Sequence, residues 1–175
     1  AAIAGKKNAK VNYQVDLIDE IWEDRPVLSE EPAFNLDVKY AGETVASKLA
    51  RIREEMKEAG TNVHVVSTID DICWTLNIRG NDIDFFPLVL SYGIITMDSF
   101  ELYIDEKKLD DKLKAKLAKD GVNLHPYNDI YEDVKKFGSD VVAMIDPGKL
   151  NYALFNNIPE NVKTVKKRNP AILMK

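Results

Sequence analysis

The sequence is poor in the side chains that most often carry out covalent chemistry. It has 175 residues with one cysteine and two histidines. Cys73 cannot form an internal disulfide, and its neighbours Ile72 and Trp74 predict a buried small hydrophobe. A catalytic thiolate would need a positive partner such as histidine, and neither His64 nor His125 lies near it in sequence. We therefore expect Cys73 to have a packing role.

Motifs that mark cofactor and metal sites are also missing. The sequence contains no GxGxxG, Walker-type glycine loop, HExxH, CxxC or GxSxG, and a zinc site would need three or four converging ligands. We therefore predict no catalytic residue and no metal ligand in this chain. Carboxylates near predicted strand or helix ends leave a two-metal nuclease of ribonuclease H type as an alternative. Caps and turns explain the same aspartates more simply; they are Asp70, Asp71, Asp82, Asp84 and Asp105.

Long apolar runs and basic patches are scarce as well. The longest apolar stretch is broken by Pro87 and Gly93 and falls short of the ~18 residues that a membrane span needs. The net charge is -5, from 24 basic and 29 acidic residues, and lysines alternate with acidic residues as on a solvated helix face. We expect neither a membrane nor a nucleic-acid partner. The single cysteine and the lack of a visible secretory signal predict a cytoplasmic protein.

Length and composition predict one domain with a substantial core. Hydrophobic residues make up 45% of the chain and charged residues 30%, which is typical of globular proteins. We interpret residues 1–15 as the end of a preceding domain or a cloning remnant, with Val11 and Tyr13 in a short strand. Residues 16–36 are predicted to be an interdomain connector that opens with a short helix. The α/β domain is expected to occupy residues 37–175.

Hydrophobic periodicity predicts helices alternating with strands from residue 43 onward. The clearest helix runs to Ala59, and the next is capped by Thr68. The near-continuous apolar segment 85–95 is typical of a strand buried on both faces, and Pro147 is expected to open a late helix. This alternation indicates an α/β fold, with a mixed sheet covered on both faces in a three-layer α/β/α arrangement.

One polar loop, residues 77–82, stands between two very apolar segments. Gly80 permits tight backbone geometry, and Arg79 suits the bidentate recognition of a carboxylate. The simpler interpretation is a turn in which Arg79 pairs with Asp82 or Asp84. The sequence leaves both interpretations open.

His125 precedes Pro126 and Tyr127 at the predicted end of a strand, where a loop would present it to a ligand. A surface or hydrogen-bonded histidine is the alternative, because one imidazole without a positioned partner does little chemistry. The candidate residues for a cleft or an interface are therefore Asn77, Arg79, Gly80, Asp82 and His125.

Several motifs, in order, resemble those of three-domain Xaa-Pro aminopeptidases of the aminopeptidase P type. Residues 16–26 read DLIDEIWEDRP and resemble NLVDxIWxDRP, the segment that joins the first and second domains. Residues 40–49 resemble the YxGxSxxxKL region. Residues 68–83 read TIDDICWTLNIRGNDI and resemble TxLDEIAWLxNLRGxDI, although Ala and a bulkier apolar residue are usual at the places of the cysteine and the second threonine. Residues 87–92 and 125–127 resemble the PVxxSY strand and the HPY turn.

This resemblance implies a function for the whole protein and a role for this chain. In that family two α/β modules of ribonuclease H-like topology, the creatinase/prolidase N-terminal type, precede a pita-bread catalytic domain. That last domain holds two divalent metals, often manganese, which activate water to cleave the bond between an N-terminal residue and proline. Its ligands are two Asp, two Glu and one His, and none falls in this chain. The resemblance therefore implies a non-catalytic middle domain of a homodimeric enzyme.

The same resemblance implies that the partners are the other domains of the polypeptide and, in the whole enzyme, a peptide substrate. The middle domain would brace its neighbours, and the 77–82 loop would border the substrate cleft or an interface. A stand-alone ligand-binding or scaffold domain remains an alternative, since the composition permits it. A downstream segment with the five metal ligands would favour the peptidase domain over that alternative.

Overall fold

The computed structural model describes residues 6, 7, 9, 15 and 17–175. The strand predicted at Val11 and Tyr13 lies outside the described residues. The helices are α1 (Leu17–Ile21), α2 (Val38–Ala41), α3 (Val45–Glu58), α4 (Ile69–Leu76), α5 (Asp111–Lys119), α6 (Ile130–Asp133), α7 (Tyr152–Asn157) and α8 (Ala171–Met174). Short 3-10 turns cover Glu106–Lys108 and Val134–Lys136. The strands are β1 (Phe34–Asn35), β2 (Val63–Val66), β3 (Ile78–Arg79), β4 (Tyr92–Thr96), β5 (Phe100–Tyr103), β6 (Val122–His125), β7 (Val142–Ile145) and β8 (Lys163–Lys166).

Strands β2 and β4–β8 form one mixed sheet in the order β6-β5-β4-β2-β7-β8. Strand β4 is antiparallel to both of its neighbours, whereas the other paired strands are parallel. The five strands other than β4 therefore run in the same direction, so that their ends lie at one edge of the sheet, which we call the carboxyl edge. Strands β1 and β3 form a separate antiparallel ladder that pairs Phe34 with Arg79.

Two apolar cores lie on opposite faces of the sheet. One contains Leu49 of α3, Ile72 of α4 and Leu117 of α5. The other contains Ile130 of α6 and Leu154 of α7. The predicted three-layer α/β/α architecture with a mixed sheet is thus confirmed.

Helix α3 follows directly from its sequence pattern. Val45, Leu49, Ile52 and Met56 recur at the spacing of one helical face, and all four are buried. Thr44 caps the helix, since its Oγ1 accepts a hydrogen bond from the backbone N–H of Ser47 at 3.2 Å. The predicted helix is confirmed.

Residue Thr68 precedes α4 as predicted, but its side chain does not cap the helix. Its hydroxyl donates to Asp71 Oδ2 at 2.5 Å. The prediction of a side-chain cap is therefore wrong. The negative charge in the first turn, on Asp70 and Asp71, still favours this helix end through the helix dipole.

The prediction of one strand over residues 85–95 is wrong. Only the last four residues of that segment, 92–95, are in a strand, β4. Its start is a tight turn in which Ile83 bridges Phe86 and Phe85 adopts φ 67°. Pro87 follows this turn, and proline lacks the N–H that a strand in the middle of a sheet must donate.

Pro147 does not open a helix. Gly148 N–H donates to Asp146 Oδ1 at 3.0 Å and forms a turn. Helix α7 starts only at Tyr152, where Asn151 Oδ1 accepts from Leu154 N–H at 2.9 Å. The asparagine cap therefore decides the start of this helix. In the part of the chain that the structure describes, no helix has the length and apolar character required to cross a membrane.

Candidate functional site

Asn77 ends helix α4 in a left-handed conformation and is buried. Its side-chain oxygen accepts a hydrogen bond from Lys48 Nζ at 2.6 Å, and its amide donates to the carbonyl of Glu43 at 2.9 Å. Lys48 Nζ also donates to the carbonyl of Trp74 and lies 4.4 Å from the centroid of that indole ring. Burial lowers the pKa of Lys48. Asn77 thus faces the interior and joins α3 to the end of α4.

Arg79 and Gly80 hold the loop backbone in place. Arg79 Nη1 donates to the carbonyls of Cys73 and Ile78, both at 2.8 Å, and the side chain is partly buried. A Cβ atom at Gly80 would lie 2.7 Å from Cγ2 of Val89. Glycine is required at this position because the chain returning toward β4 passes so close.

A buried ion pair anchors the end of the loop. Asp82 Oδ2 accepts from Lys108 Nζ at 2.5 Å and from the backbone N–H of Leu90 at 2.6 Å. The side chains of Asp82 and Lys108 are 0% and 2% exposed. The partner of Asp82 is therefore Lys108, from the 3-10 turn after β5, and the turn interpretation that paired Arg79 with Asp82 does not describe this loop.

His125 lies at the end of β6 in a different set of contacts. Its Nε2 is 2.6 Å from Glu101 Oε2, and its ring stacks on Tyr103 with 4.9 Å between centroids. Glu101 also accepts from Asn123 and Ser99. The structure therefore brings Asn77, Arg79, Gly80 and Asp82 together in one anchored loop. The imidazole of His125 lies apart from this loop and contacts side chains of the neighbouring strand β5.

A cavity of about 530 Å³ opens at the carboxyl edge, beside the anchored loop. Its lining includes Leu28 of the connector, Leu90, Lys108 and Tyr127. Three acidic residues, Asp105, Glu106 and Asp129, also line it. The buried ion pair therefore borders the cavity through Lys108.

Three tyrosines pack beside the cavity at the same edge. The rings of Tyr92 and Tyr127 are 5.0 Å apart, and the hydroxyl of Tyr92 lies 3.1 Å from that of Tyr131. Burial, with the hydrogen bond that the Tyr131 hydroxyl donates to Tyr92, raises the pKa of Tyr131 to about 12. The phenol of Tyr131 therefore keeps its proton at neutral pH, and the cluster serves as a neutral polar wall.

Metal-binding and nucleophilic chemistry find few suitable groups here. Among the described residues, no three His, Cys, Asp or Glu side chains lie together so that they could hold a metal ion. The donors that two divalent metals would require are therefore not grouped among the described residues. Cys73 is buried, and its sulfur accepts from Val89 N–H at 3.3 Å. Burial raises the pKa of this thiol, which is consistent with the predicted packing role.

Sequence reasoning missed an exposed apolar turn directly after the loop. We call Ile83–Phe86 the apolar tip. Phe85 is fully exposed and Phe86 is 61% exposed, whereas the apolar pattern predicts both in a buried strand. Pro87 was the available signal for a chain reversal, whereas the left-handed conformation of Phe85 has no signal in the sequence.

Comparisons with known proteins agree on one family. A family model described as the creatinase/prolidase N-terminal domain matches residues 24–175. A probable Xaa-Pro aminopeptidase P of Neurospora crassa is 43% identical over 143 residues, which are 81% of this chain and 21% of that protein. Xaa-Pro aminopeptidase app-1 of Caenorhabditis elegans is 36% identical over 156 residues, covering 86% of this chain and 25% of that protein. The chain thus spans about a quarter or less of these two relatives.

Solved structures give the same picture. The crystal structure of an X-prolyl aminopeptidase from Caenorhabditis elegans superimposes with a TM-score of 0.83 at 30% identity and covers 98% of this chain and 32% of that chain. That protein is described as a cytosolic enzyme with a di-nuclear active site. A Xaa-Pro aminopeptidase structure from Streptococcus thermophilus aligns with a TM-score of 0.53 at 17% identity, which shows a shared fold alone.

Proposed function

The chain belongs to the creatinase/prolidase N-terminal domain family, and from this premise we propose that it is the non-catalytic middle domain of an Xaa-Pro aminopeptidase. The whole enzyme would remove the N-terminal residue from peptides with proline in second position. This chain would hold the other domains in place and border the substrate cleft.

The observation that carries this proposal is that each alignment covers most of this chain but only a small part of the relative. The Caenorhabditis elegans structure covers 98% of this chain, yet this chain covers only 32% of it. A similar fold therefore occupies one part of a much larger relative. The di-nuclear active site named for that relative is consistent with metal ligands located elsewhere in the polypeptide, because the described residues offer no metal-capable cluster.

Exposed apolar side chains support packing against neighbouring domains. Phe85 and Phe86 of the apolar tip lie in solvent. Leu17 and Ile21 of α1 are 67% and 78% exposed. Large exposed apolar side chains that are neighbours on one turn or one helix face favour an interface at each of these two places. In the proposed enzyme, the apolar tip and the adjacent loop Asn77–Asp82 would face the catalytic domain and its substrate, and α1 would face the preceding domain.

Further properties of the whole enzyme follow from the proposal. Its catalytic domain would hold two divalent metals, with manganese as the proposed ion, and the assembled protein would be a cytoplasmic homodimer. Its partners would be its own other domains and a peptide substrate. Neither a nucleic acid nor a membrane belongs to this set.

Deletion and complementation test the proposed role. The full-length polypeptide should release the first residue of an Xaa-Pro peptide in the presence of Mn²⁺, and deletion of residues 37–175 should abolish that release. Adding this chain back in trans should restore part of the activity if it braces the catalytic domain. Full activity of the deletion variant would overturn the proposal, and magnesium-dependent cleavage of nucleic acid by this chain would favour a nuclease instead.

A further inference from the structure

Asn169 is a buried residue between the last sheet strand, β8, and the last helix, α8. Its side-chain oxygen accepts from Ala171 N–H at 3.1 Å and lies 3.2 Å from Nε2 of His64. Its backbone N–H donates to Asp146 Oδ2 at 2.9 Å. One residue thus joins the start of α8 to β2 and to the turn after β7.

The amide nitrogen of the same side chain extends the network to helix α4. Nδ2 donates to Asp71 Oδ2 at 2.7 Å and to Thr68 Oγ1 at 3.2 Å. The hydroxyl of Thr68 gives its own proton to Asp71 Oδ2, so that its oxygen is free to accept. Each polar atom of the Asn169 side chain therefore has a partner of the opposite kind, as buried polar groups require.

The orientation of this amide is fixed by its partners. Reversing it would place Oδ1 beside the carboxylate of Asp71 and Nδ2 against the N–H of Ala171, two like-with-like contacts that are costly in a buried site. Undocking residues 169–175, which we call the C-terminal segment, would remove from Asp71 both the amide of Asn169 and the ammonium of Lys175. The network therefore admits one arrangement of the segment.

The end of the segment is held from outside as well. Lys175 Nζ donates to Asp70 Oδ2 at 2.5 Å and forms an ion pair with Asp71 Oδ1. Ala171 is buried in the core beside α4, and α8 contacts α4. Asp71 thus accepts a hydrogen bond from the buried Asn169 and forms an ion pair with Lys175 at the surface.

We propose that Asn169 is a positioning residue that makes residues 169–175 a rigid joint, so that the polypeptide leaves this domain in a fixed direction. This inference rests on the proposed function for its consequence, namely that a catalytic domain follows. A rigid connection fixes the orientation of the following domain relative to this one. With a flexible connection, that orientation would depend only on the contacts between the two domain surfaces.

Spin-label distance measurements on this chain test the joint. Labels on Glu58→Cys, in the exposed last turn of α3, and on Leu173→Cys, exposed in α8, report the position of the segment relative to the sheet. The wild-type distance distribution should be narrow, and Asn169→Ala should lose that narrow peak. A wild-type distribution as broad as that of the variant, or an unchanged narrow peak in Asn169→Ala, would overturn the proposal.

A matched control separates this effect from a general loss of hydrogen bonds. Asn62 also joins two parts of the chain, since it donates to the carbonyl of Asp140 and accepts from Val142 N–H. Asn62→Ala removes a comparable pair of contacts away from the segment and should keep the narrow peak. Broadening as large as that of Asn169→Ala would refute a specific role for Asn169.

Hydrogen exchange keeps the test usable if Asn169→Ala folds poorly. Lys175→Met removes only the outer contact with Asp70 and Asp71 and leaves the core intact. The amide of Ala171 should exchange about tenfold faster in Lys175→Met than in wild type, as expected when local opening becomes easier. Unchanged exchange would contradict the joint. None of these readouts needs peptidase activity. An inactive full-length protein would therefore contradict the proposed function without contradicting the rigid connection at residues 169–175.

Discussion

Lys108 and Asp82 form an ion pair from which water is almost completely excluded, with Nζ 2.5 Å from Oδ2. The pair links the 3-10 turn after β5 to the end of the loop Asn77–Asp82. The same carboxylate also accepts from Leu90 N–H. It therefore joins the chain before the apolar tip to the chain after it. The buried charge pair therefore helps to set the position of the apolar tip.

Removing one partner of this pair should strongly destabilise the domain. Lys108→Met leaves Asp82 buried without its counter-ion, which costs about 3–5 kcal/mol in comparable sites. Urea unfolding of this chain measures the loss. Lys107→Met is the matched control, since Lys107 pairs with Glu30 on the surface, and no measurable change is expected for it. Equal stability of the two variants would contradict the structural role of the buried pair.

Replacing Arg79 should lower the peptidase activity of the full-length protein by more than the loss of stability of this domain explains. Arg79→Ala in the full-length protein should lower kcat/KM for an Xaa-Pro peptide about tenfold, on the scale of one hydrogen bond to a charged group. Arg53→Ala is the control, because Arg53 also donates to two backbone carbonyls, those of Thr96 and Ser99, at the hairpin between β4 and β5. Peptidase kinetics and assembly unchanged by Arg79→Ala would reduce the loop to a turn.

Replacing Phe85 in the apolar tip should not destabilise this chain but should weaken the activity of the full-length protein. Phe85 is fully exposed at φ 67°, a conformation that costs a residue with a Cβ atom about 1–2 kcal/mol. Phe85→Gly should therefore leave the unfolding free energy of this chain unchanged or raise it by up to about 1 kcal/mol, after the entropy cost of glycine. The same substitution should weaken activity in the full-length protein if the tip packs on the catalytic domain. Full activity of the full-length variant would exclude that contact, whichever of these two stability results is found.

Burial of His64 should make the domain less stable in weak acid. Burial lowers the pKa of His64, although the nearby carboxylates of Asp71 and Asp146 oppose this. In the unfolded chain the imidazole titrates near its ordinary value of about 6.5. Between that value and the lower folded pKa, the unfolded state binds a proton that the folded state does not, so stability falls as pH decreases through this window.

A variant without the imidazole isolates this effect. His64→Gln keeps a side-chain donor but cannot titrate, so its unfolding free energy should fall less steeply than that of wild type between about pH 7 and 5. The largest expected difference in slope is about 1.4 kcal/mol per pH unit, corresponding to one proton. Denaturant titrations across this pH range supply the comparison, and parallel slopes would show that His64 does not contribute.

Local sequence patterns predict the helices and strands well where one face is buried. Helix α3 is fixed by the spacing of Val45, Leu49, Ile52 and Met56, which needs no knowledge of distant residues. The alternation of helices and strands then predicts the layered architecture, because each element must cover an apolar face. The order of the strands, in which β2 lies between β4 and β7, is set by pairings between segments that are distant in sequence.

The candidate site is harder to predict because its contacts are distant in sequence. Asp82 and Lys108 are 26 residues apart, and Lys48 and Asn77 are 29 apart. Nothing local marks either pair. Phe85 and Phe86 were assigned to a buried strand because a short apolar run does not reveal whether it is buried, and only the turn geometry turns them toward solvent.

The account depends most on the claim that this chain serves a catalytic site located elsewhere in a larger peptidase. The direct test is to incubate the purified chain, free of contaminating peptidase, with an Xaa-Pro peptide and Mn²⁺ and to measure the N-terminal amino acid released. The account predicts no release above the blank, while the full-length polypeptide cleaves the same peptide. Sustained release by the chain itself would contradict it.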